Sequence, residues 1–292
     1  MTTIKTATSE NTLVDFFDKQ LKLWPAARER FEDLKKVKTR QVGNLLLQYN
    51  PARIRSTGAS IDKAVLAKRP CFLCAANRPA EQLTLDLGMA ELLVNPYPIL
   101  PKHFTIPLQK HQPQKLELLE GYISMLLRLD PSLMVFYNGP HCGASAPDHA
   151  HLQAGTSGLL PVQKMWRNDV EWIKEDKGNK TMIGLVKGYA CPIIVVKGDA
   201  PIVSLPKVGD DVNVISWRED KEQIALIFLR SKHRPDCYAR GVMVSPGALD
   251  MGGLIITPQE EDFNNLDADT ASDILQEVSM TETEVRKIIS MI

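Results

Sequence analysis

The run His149-Ala150-His151-Leu152-Gln153 alternates polar with apolar side chains, which is the period of a β-strand. Residues i, i+2 and i+4 of a strand share a face. His149, His151 and Gln153 therefore point one way, while Ala150, Leu152 and Ala154 pack the other. Just upstream, Gly139, Gly143, Ser145 and Pro147 form a turn-rich loop. Small residues let a phosphate come close to backbone N–H groups. A neutral imidazole, with an ordinary pKa of about 6.5, is a competent nucleophile at neutral pH. Loop and strand together suit attack on phosphorus. Two plainer readings stay open for a bare His-x-His: a polar strand surface, or two metal ligands without catalysis.

Other residues offer chemistry of their own. Cys71-Phe72-Leu73-Cys74 is a knuckle that brings two thiolates to one zinc, with a thioredoxin-like redox pair as the rival. Arg53 and Arg55 lie in the turn Asn50 to Ser56, where a guanidinium suits phosphate geometry and a solvated loop is the plain alternative. Arg230-Ser231-Lys232-His233-Arg234 is the densest basic cluster. It reads as a solvated turn or as a phosphate contact from the second half.

The elements that must position these residues follow from pattern. Residues 11–37 read as helix, restarted at Pro25, and Val42 to Tyr49 as one strand. Glu91 to Pro107 is strand-like but broken by prolines. Lys115 to Leu129 has a helical apolar stripe, and Leu133 to Tyr137 is a short strand entering the central loop. Beyond residue 160, Met165 to Trp172 reads as helix, and Ile193 to Val196, Val212 to Trp217 and Ile224 to Phe228 as strands. Ser245 to Thr257 is a turn, a glycine pair and a strand, and Ala271 to Ile289 a closing helix. No short-period repeat or low-complexity tract occurs.

The totals bound the class. A chain of 292 residues, 44% hydrophobic and 24% charged, is ordinary globular composition with ample core for two domains or one large one. Zero net charge gives no global field for nucleic acid. The first residues lack a signal-peptide core, and no apolar run is long enough to span a membrane. An odd count of five cysteines without a signal peptide favours metal or redox use over a structural disulfide. The expected location is cytoplasmic.

The Cys-x-x-C knuckle, a histidine after a proline-rich strand, and His149-x-His151-x-Gln153 after a Gly/Ser loop resemble the histidine-triad (HIT-like) superfamily. The branch is that of galactose-1-phosphate uridylyltransferase (GalT), diadenosine-tetraphosphate phosphorylase and GDP-L-galactose phosphorylase. The resemblance runs over about residues 40–155. It implies an α+β fold of two HIT-like (GalT-like) halves, antiparallel sheets with packed helices. The first half, 1–160, would carry a helical extension and the catalytic motif, and 161–292 would be the second half.

The resemblance also implies roles. His151 matches the nucleophile, Gln153 the residue that bonds the transferred phosphate, and Ser145 and Gly143 the phosphate loop. Arg53, Asn95 and Asn138 match substrate-binding positions. Cys71, Cys74, His111 and His149 match zinc ligands, with His103 and His141 as spare histidines. One departure stands out: Ala146, Pro147 and Asp148 separate Ser145 from His149, where the family usually has two residues. Asp148 is thereby open to a contact of its own. The implied activity is a nucleotidyltransferase or phosphorylase that takes a nucleotide-sugar or dinucleotide, forms a nucleotidyl-His151 intermediate, and uses phosphate or a sugar phosphate as acceptor. The alternatives are a nucleotide hydrolase of the same superfamily and a zinc-stabilised nucleotide-binding protein without turnover. Glutamine, unlike histidine, cannot give the leaving group a proton, which favours transfer over hydrolysis.

Overall fold

β-Branched and aromatic runs pack well on a pleated surface, and here they build one large sheet and one small one. The computed structural model describes residues 3–4, 10–58, 63–66, 68–178, 180–198 and 209–291. In chain order the strands are β1 (Thr3–Ile4), β2 (Lys38–Val42), β3 (Leu45–Tyr49), β4 (Thr84–Asp86), β5 (Glu91–Val94), β6 (His103–Pro107) and β7 (Leu133–Asn138). They continue with β8 (His151–Thr156), β9 (Val170–Asp176), β10 (Thr181–Val186), β11 (Ile193–Gly198), β12 (Val212–Glu219), β13 (Glu222–Leu229) and β14 (Leu254–Thr257).

The large sheet has the order β1-β4-β5-β6-β8-β7-β12-β13-β11-β10-β9, and the small one β14-β3-β2. Within the large sheet, β4-β5-β6-β8-β7 and β9-β10-β11-β13-β12 share one layout: a three-strand meander, then two strands in inverted order. These are the two halves of the α+β fold. They join where β7 pairs antiparallel with β12, Phe136 opposite Ile215, so equivalent strands meet at the seam of one continuous sheet.

Both faces of the sheet are buried. Val135 and Tyr137 enter one core, with Phe16, Phe31, Ile123, Leu126 and Ile289 from the covering helices. Phe136 enters the other, with Leu47, Trp166, Ile215, Ile255 and Ile274. Fully burying such a side chain contributes about 1.5–3 kcal/mol, so face assignment along each strand is strongly enforced. Among the described residues no helix is long and apolar enough to cross a membrane.

Several elements differ from expectation. Val42 to Tyr49 is not one strand. Gly43, at φ +55°, turns the chain so that Val42 pairs with Leu45, and a two-residue turn of this kind makes β2 and β3 a hairpin. Met165 to Trp172 is not helical throughout. The helix Pro161–Met165 ends there and β9 begins at Val170. As an outermost strand, β9 pairs only with β10, so its charges reach solvent and hide the alternation. The helical stripe of Lys115 to Leu129 begins as a 3-10 turn, Leu116–Leu118, before the helix Glu120–Leu129. The closing helix is two, Ala268–Glu277 and Glu282–Met291. Thr281 and Glu284 bond each other across the second start, as in a capping box.

Candidate active site

β8 is held in register on both edges. Ile106 lies opposite Leu152 on β6, and Phe136 opposite Gln153 on β7. Ala150, Leu152 and Ala154 are fully buried in the first core. A one-residue slip would drive Gln153 into that core, so the apolar positions fix where His151 and Gln153 point. His149, expected on the strand, precedes it: its N–H donates to Ala146 O (3.2 Å) in a turn, and β8 starts at His151.

Continuing the β7–β8 ladder would set Asn138 beside His151. Gln114 takes that place. Its Nε2 donates to Asn138 O (2.8 Å) and His151 O (3.0 Å), and its Oε1 accepts from His151 N–H (2.7 Å). Sequence reasoning missed this residue, because nothing local marks a glutamine 37 positions away as a substitute ladder rung. Asn138 in turn accepts at Oδ1 from Ala248 N–H (2.7 Å) and Asn213 Nδ2 (2.9 Å), which ties β7 to the second half.

His151 is buried at 4% exposure. Its Nδ1 donates to His149 O (2.8 Å), which leaves the lone pair on Nε2. Burial, opposed by that hydrogen bond, pushes its pKa down to about 4, so the ring is neutral at pH 7. A neutral ring with a free Nε2 is the nucleophilic form.

Cys71, Cys74, His111 and His149 gather into one group whose ligand atoms lie within 4.8 Å of one another. His149 Nδ1 is 3.3 Å from Cys71 Sγ, and His111 Nδ1 is 3.2 Å from Cys74 Sγ. The knuckle is braced by Asn77 Nδ2 to Cys71 O (2.9 Å) and by Arg78, which donates to Leu73 O (2.8 Å) and Glu91. His149 Nε2 donates to Leu108 O (2.7 Å). That bond leaves Nδ1 unprotonated and aimed at the sulfurs, the usual outer-shell support of a metal ligand. The group can hold a metal ion. Cys71 and His149 are buried, whereas His111 is exposed. The spare histidines stand apart: His103 is buried beside Gln153, and His141 pairs with Asp211 (2.9 Å). Asp148 makes its own contacts, 3.6 Å from Arg69 and 3.8 Å from His111 Nε2.

His151 and Gln153 line a cavity of about 690 Å³, shared with Gly143, Ser145, Arg53, Asn95 and Asn138. Gly143, at φ +90°, abuts Gly247, and a Cβ there would lie 2.7 Å from Gly247 Cα. Glycine is thus required where this loop touches the second half. Arg53 donates to Tyr97 O (2.8 Å). Protein encloses its guanidinium although the side chain opens to the cavity, and this burial lowers its pKa to about 10, so it stays charged. The side chain of Arg55 lies outside those described.

The second half supplies His233, Arg234, Ser245 and Asp250 to the same cavity. Arg230 does not fit the expectation of a solvated turn. It is 2% exposed and donates to Asn213 Oδ1, Pro246 O and Val278 O, a buried clamp. Arg234 Nε donates to Ser245 Oγ (3.0 Å). Burial, then the neighbouring arginines, push His233 down to about 4. Burial also raises the Asp250 carboxyl to about 6, while Gly247 and Ile256 N–H groups stabilise its charged form.

His103 is fully buried, and burial, followed by the charge of Arg53, lowers its pKa from 6.5 to about 3. The unfolded chain binds this proton near 6.5, the folded chain only near 3. Unfolding between those values therefore takes up a proton, and stability falls as pH falls. The slope is up to about 1.4 kcal/mol per pH unit. Urea midpoints measured from pH 7 to 4 are expected to fall less steeply in His103→Gln than in the wild type; parallel curves would refute this account of the ring.

With this geometry in place, comparison with known proteins is informative. Residues 16–156 match the family model described as Domain of unknown function (DUF4922). No curated protein matches the sequence. Among solved structures, yeast Ap4A phosphorylase Apa2 superposes with a TM-score of 0.55 at 17% identity, covering 89% of this chain and 97% of that one. Its complex with Ap4A gives 0.57 at 18%, covering 88% and 97%. Its complex with AMP gives 0.54 at 16%, covering 90% and 97%. This chain has the fold of yeast Ap4A phosphorylase Apa2. The likeness is one of fold, and it spans 88–90% of this chain.

Proposed function

We propose that the chain is a nucleotidyltransferase or phosphorylase acting on a nucleotide-sugar or dinucleotide. The observation that carries this reading is His151: a buried, neutral imidazole whose Nδ1 is committed to His149 O and whose ring lines the cavity with Gln153 and the Gly143 to Ser145 loop. Nε2 attacks the phosphorus of a bound nucleotide. A P–N bond forms as the P–O bond to the leaving group breaks, and that group, the second nucleotide of a dinucleotide or the sugar phosphate of a nucleotide-sugar, departs as an anion. A phosphate oxygen of the acceptor then attacks, the P–N bond breaks, and His151 is regenerated. Such transfer needs positioning and neutralisation of oxygen charge more than acid–base work. Arg53, Gln153 and the loop N–H groups are assigned that part, with Asn95 and Asn138 shaping the substrate side. Residues 1–160 are read as the catalytic half and 161–292 as the second.

The group Cys71, Cys74, His111 and His149 is assigned to zinc, whose preferred donors are thiolate sulfur and imidazole nitrogen in a tetrahedron. Four protein donors leave no open position, so the ion would be structural and would tie the knuckle to the start of β8. Five free cysteines suit a reducing compartment, and the proposed location is the cytoplasm.

The yeast neighbours were solved with Ap4A and AMP, which makes dinucleoside polyphosphates the first donors to try. The test is a screen of dinucleotides and nucleotide-sugars with and without inorganic phosphate or sugar phosphate. Product release that depends on the added acceptor is expected; release with water alone would assign a hydrolase. Gln153→Ala is expected to slow transfer by about 10²–10³, the usual cost of one donor to developing charge, as read from single-turnover rates.

A further inference from the structure

Two backbone N–H groups in the loop Asn95 to Ile99 determine which atom of Gln153 meets the substrate. Ile99 N–H donates to His103 Nδ1 (3.1 Å). A backbone amide can only donate, so Nδ1 must carry the lone pair and Nε2 the proton. His103 Nε2 lies 2.9 Å from Gln153 Oε1, a contact that is favourable only if the oxygen of the glutamine amide faces the ring. Tyr97 N–H donates to Asn95 Oδ1 (2.8 Å), which turns Asn95 Nδ2 outward. That nitrogen donates to Thr105 Oγ1 (3.0 Å) and, at 3.5 Å, reaches Gln153 Oε1 as well. Both relays end on the same oxygen.

We infer that His103 is a positioning residue, which with Asn95 holds the Gln153 carbonyl oxygen so that its NH2 group faces the transferred phosphate. The inference rests on the reading of the cavity as a nucleotidyl-transfer site. A freely turning amide would spend part of its time presenting an oxygen to a phosphate oxygen, which is repulsive. Fixing the amide removes that state before substrate arrives, which is the preorganisation that electrostatic catalysis needs. The ring is suited to the task. It is fully buried, lies tilted by 37° against Phe136 with ring centroids 5.8 Å apart, and stays neutral at pH 7, since its pKa is pushed down to about 3. A neutral ring can accept from Ile99 while donating to Gln153, whereas a charged ring would donate on both sides and lose the Ile99 contact.

Two substitutions separate this role from packing. His103→Asn keeps an oxygen at the Nδ1 position, where it accepts from Ile99 N–H, but has nothing to reach Gln153. His103→Gln places an amide NH2 near the old Nε2 and keeps the donor. His103→Asn is expected to lower the single-turnover transfer rate at least about tenfold, with little change in nucleotide KM. Its loss is bounded by the ~10²–10³ expected for removing the Gln153 donor. His103→Gln should stay within a few-fold of wild type. In a Gln153→Ala background, His103→Asn should cost nothing further. Equal losses in both backgrounds, or equal losses for Asn and Gln at 103, would overturn the inference while leaving the transfer reading standing. If wild type shows no transfer with any donor, the transfer reading fails on its own. The tautomer is then read directly from long-range 1H–15N correlations of the His103 ring. A proton on Nε2 supports the relay, and a proton on Nδ1 refutes it.

Discussion

His151→Ala abolishes nucleotide transfer and leaves the fold intact: this is the expected result with the largest effect on activity. Removing the nucleophile of a covalent mechanism typically costs on the order of 10⁴–10⁶ in rate, and neither His149 nor His103 is placed to replace it. His149 is turned to the thiols, and His103 is locked between Ile99 and Gln153. Structure survives because Gln114 holds residue 151 by its backbone N–H and C=O. The loss is one side-chain hydrogen bond to His149 O, worth about 1 kcal/mol net, plus the packing of the ring. The measurements are label retained on the protein from a radioactive dinucleotide, transfer rate and Tm. Normal turnover by the variant would end the nucleotidyl-histidine mechanism.

His149→Ala is expected to act on stability first. It removes one of four donors from the Cys71, Cys74, His111 and His149 group. Zinc held by such a set contributes on the order of 10 kcal/mol to folding near neutral pH, so losing the ion should lower Tm by many degrees. The acceptor for His151 Nδ1 is the backbone oxygen of His149, which the substitution keeps, so activity falls only as the turn before β8 loosens. Zinc content by mass spectrometry and melting curves decide the matter, with Cys71→Ala as the parallel case and Gln153→Ala as the control that keeps its metal. Wild-type protein purified without zinc, or a His149→Ala variant that retains both zinc and Tm, would remove the assignment.

The difference between these two histidines was only half legible in the sequence. The period-2 alternation is local, so it showed that Leu152 packs inward and that His151 and Gln153 share a face. It did not show that β8 starts at His151, because His149 bonds back to Ala146 in a turn and faces thiols 75 and 78 positions away. The knuckle was readable because two cysteines at that spacing have few other uses. His103 looked spare, since its partners, Ile99 and Gln153, are ordinary residues whose roles depend on being buried together. Arg230 looked like surface charge, and only the fold reveals the carbonyls of Pro246 and Val278 around it. Among the strands, the aliphatic runs of β7, β11, β12 and β13 were readable, but β10, Thr181–Val186, was passed over although it too is largely aliphatic. The hairpin at Gly43 and the charged edge strand β9 were not, because a two-residue turn and an edge each relax the pattern that marks a strand.

The seam between β7 and β12 also bears on how the protein chooses its ligands. Five registered pairs cross it, from Asn138 with Asn213 to Met134 with Trp217, and β7 is at the same time the neighbour of β8, which carries His151. Swinging one half away from the other would mean tearing main-chain bonds out of the middle of a sheet, unlike the sliding of two domains over a wet interface. The wall that carries Arg234 and Ser245 therefore stands at a set distance from the wall that carries His151. For the proposed dinucleotide or nucleotide-sugar substrates the cleft would act as a fixed gauge, selecting by the length of the phosphate chain and the bulk at its ends, since the frame does not shorten to grip a smaller one.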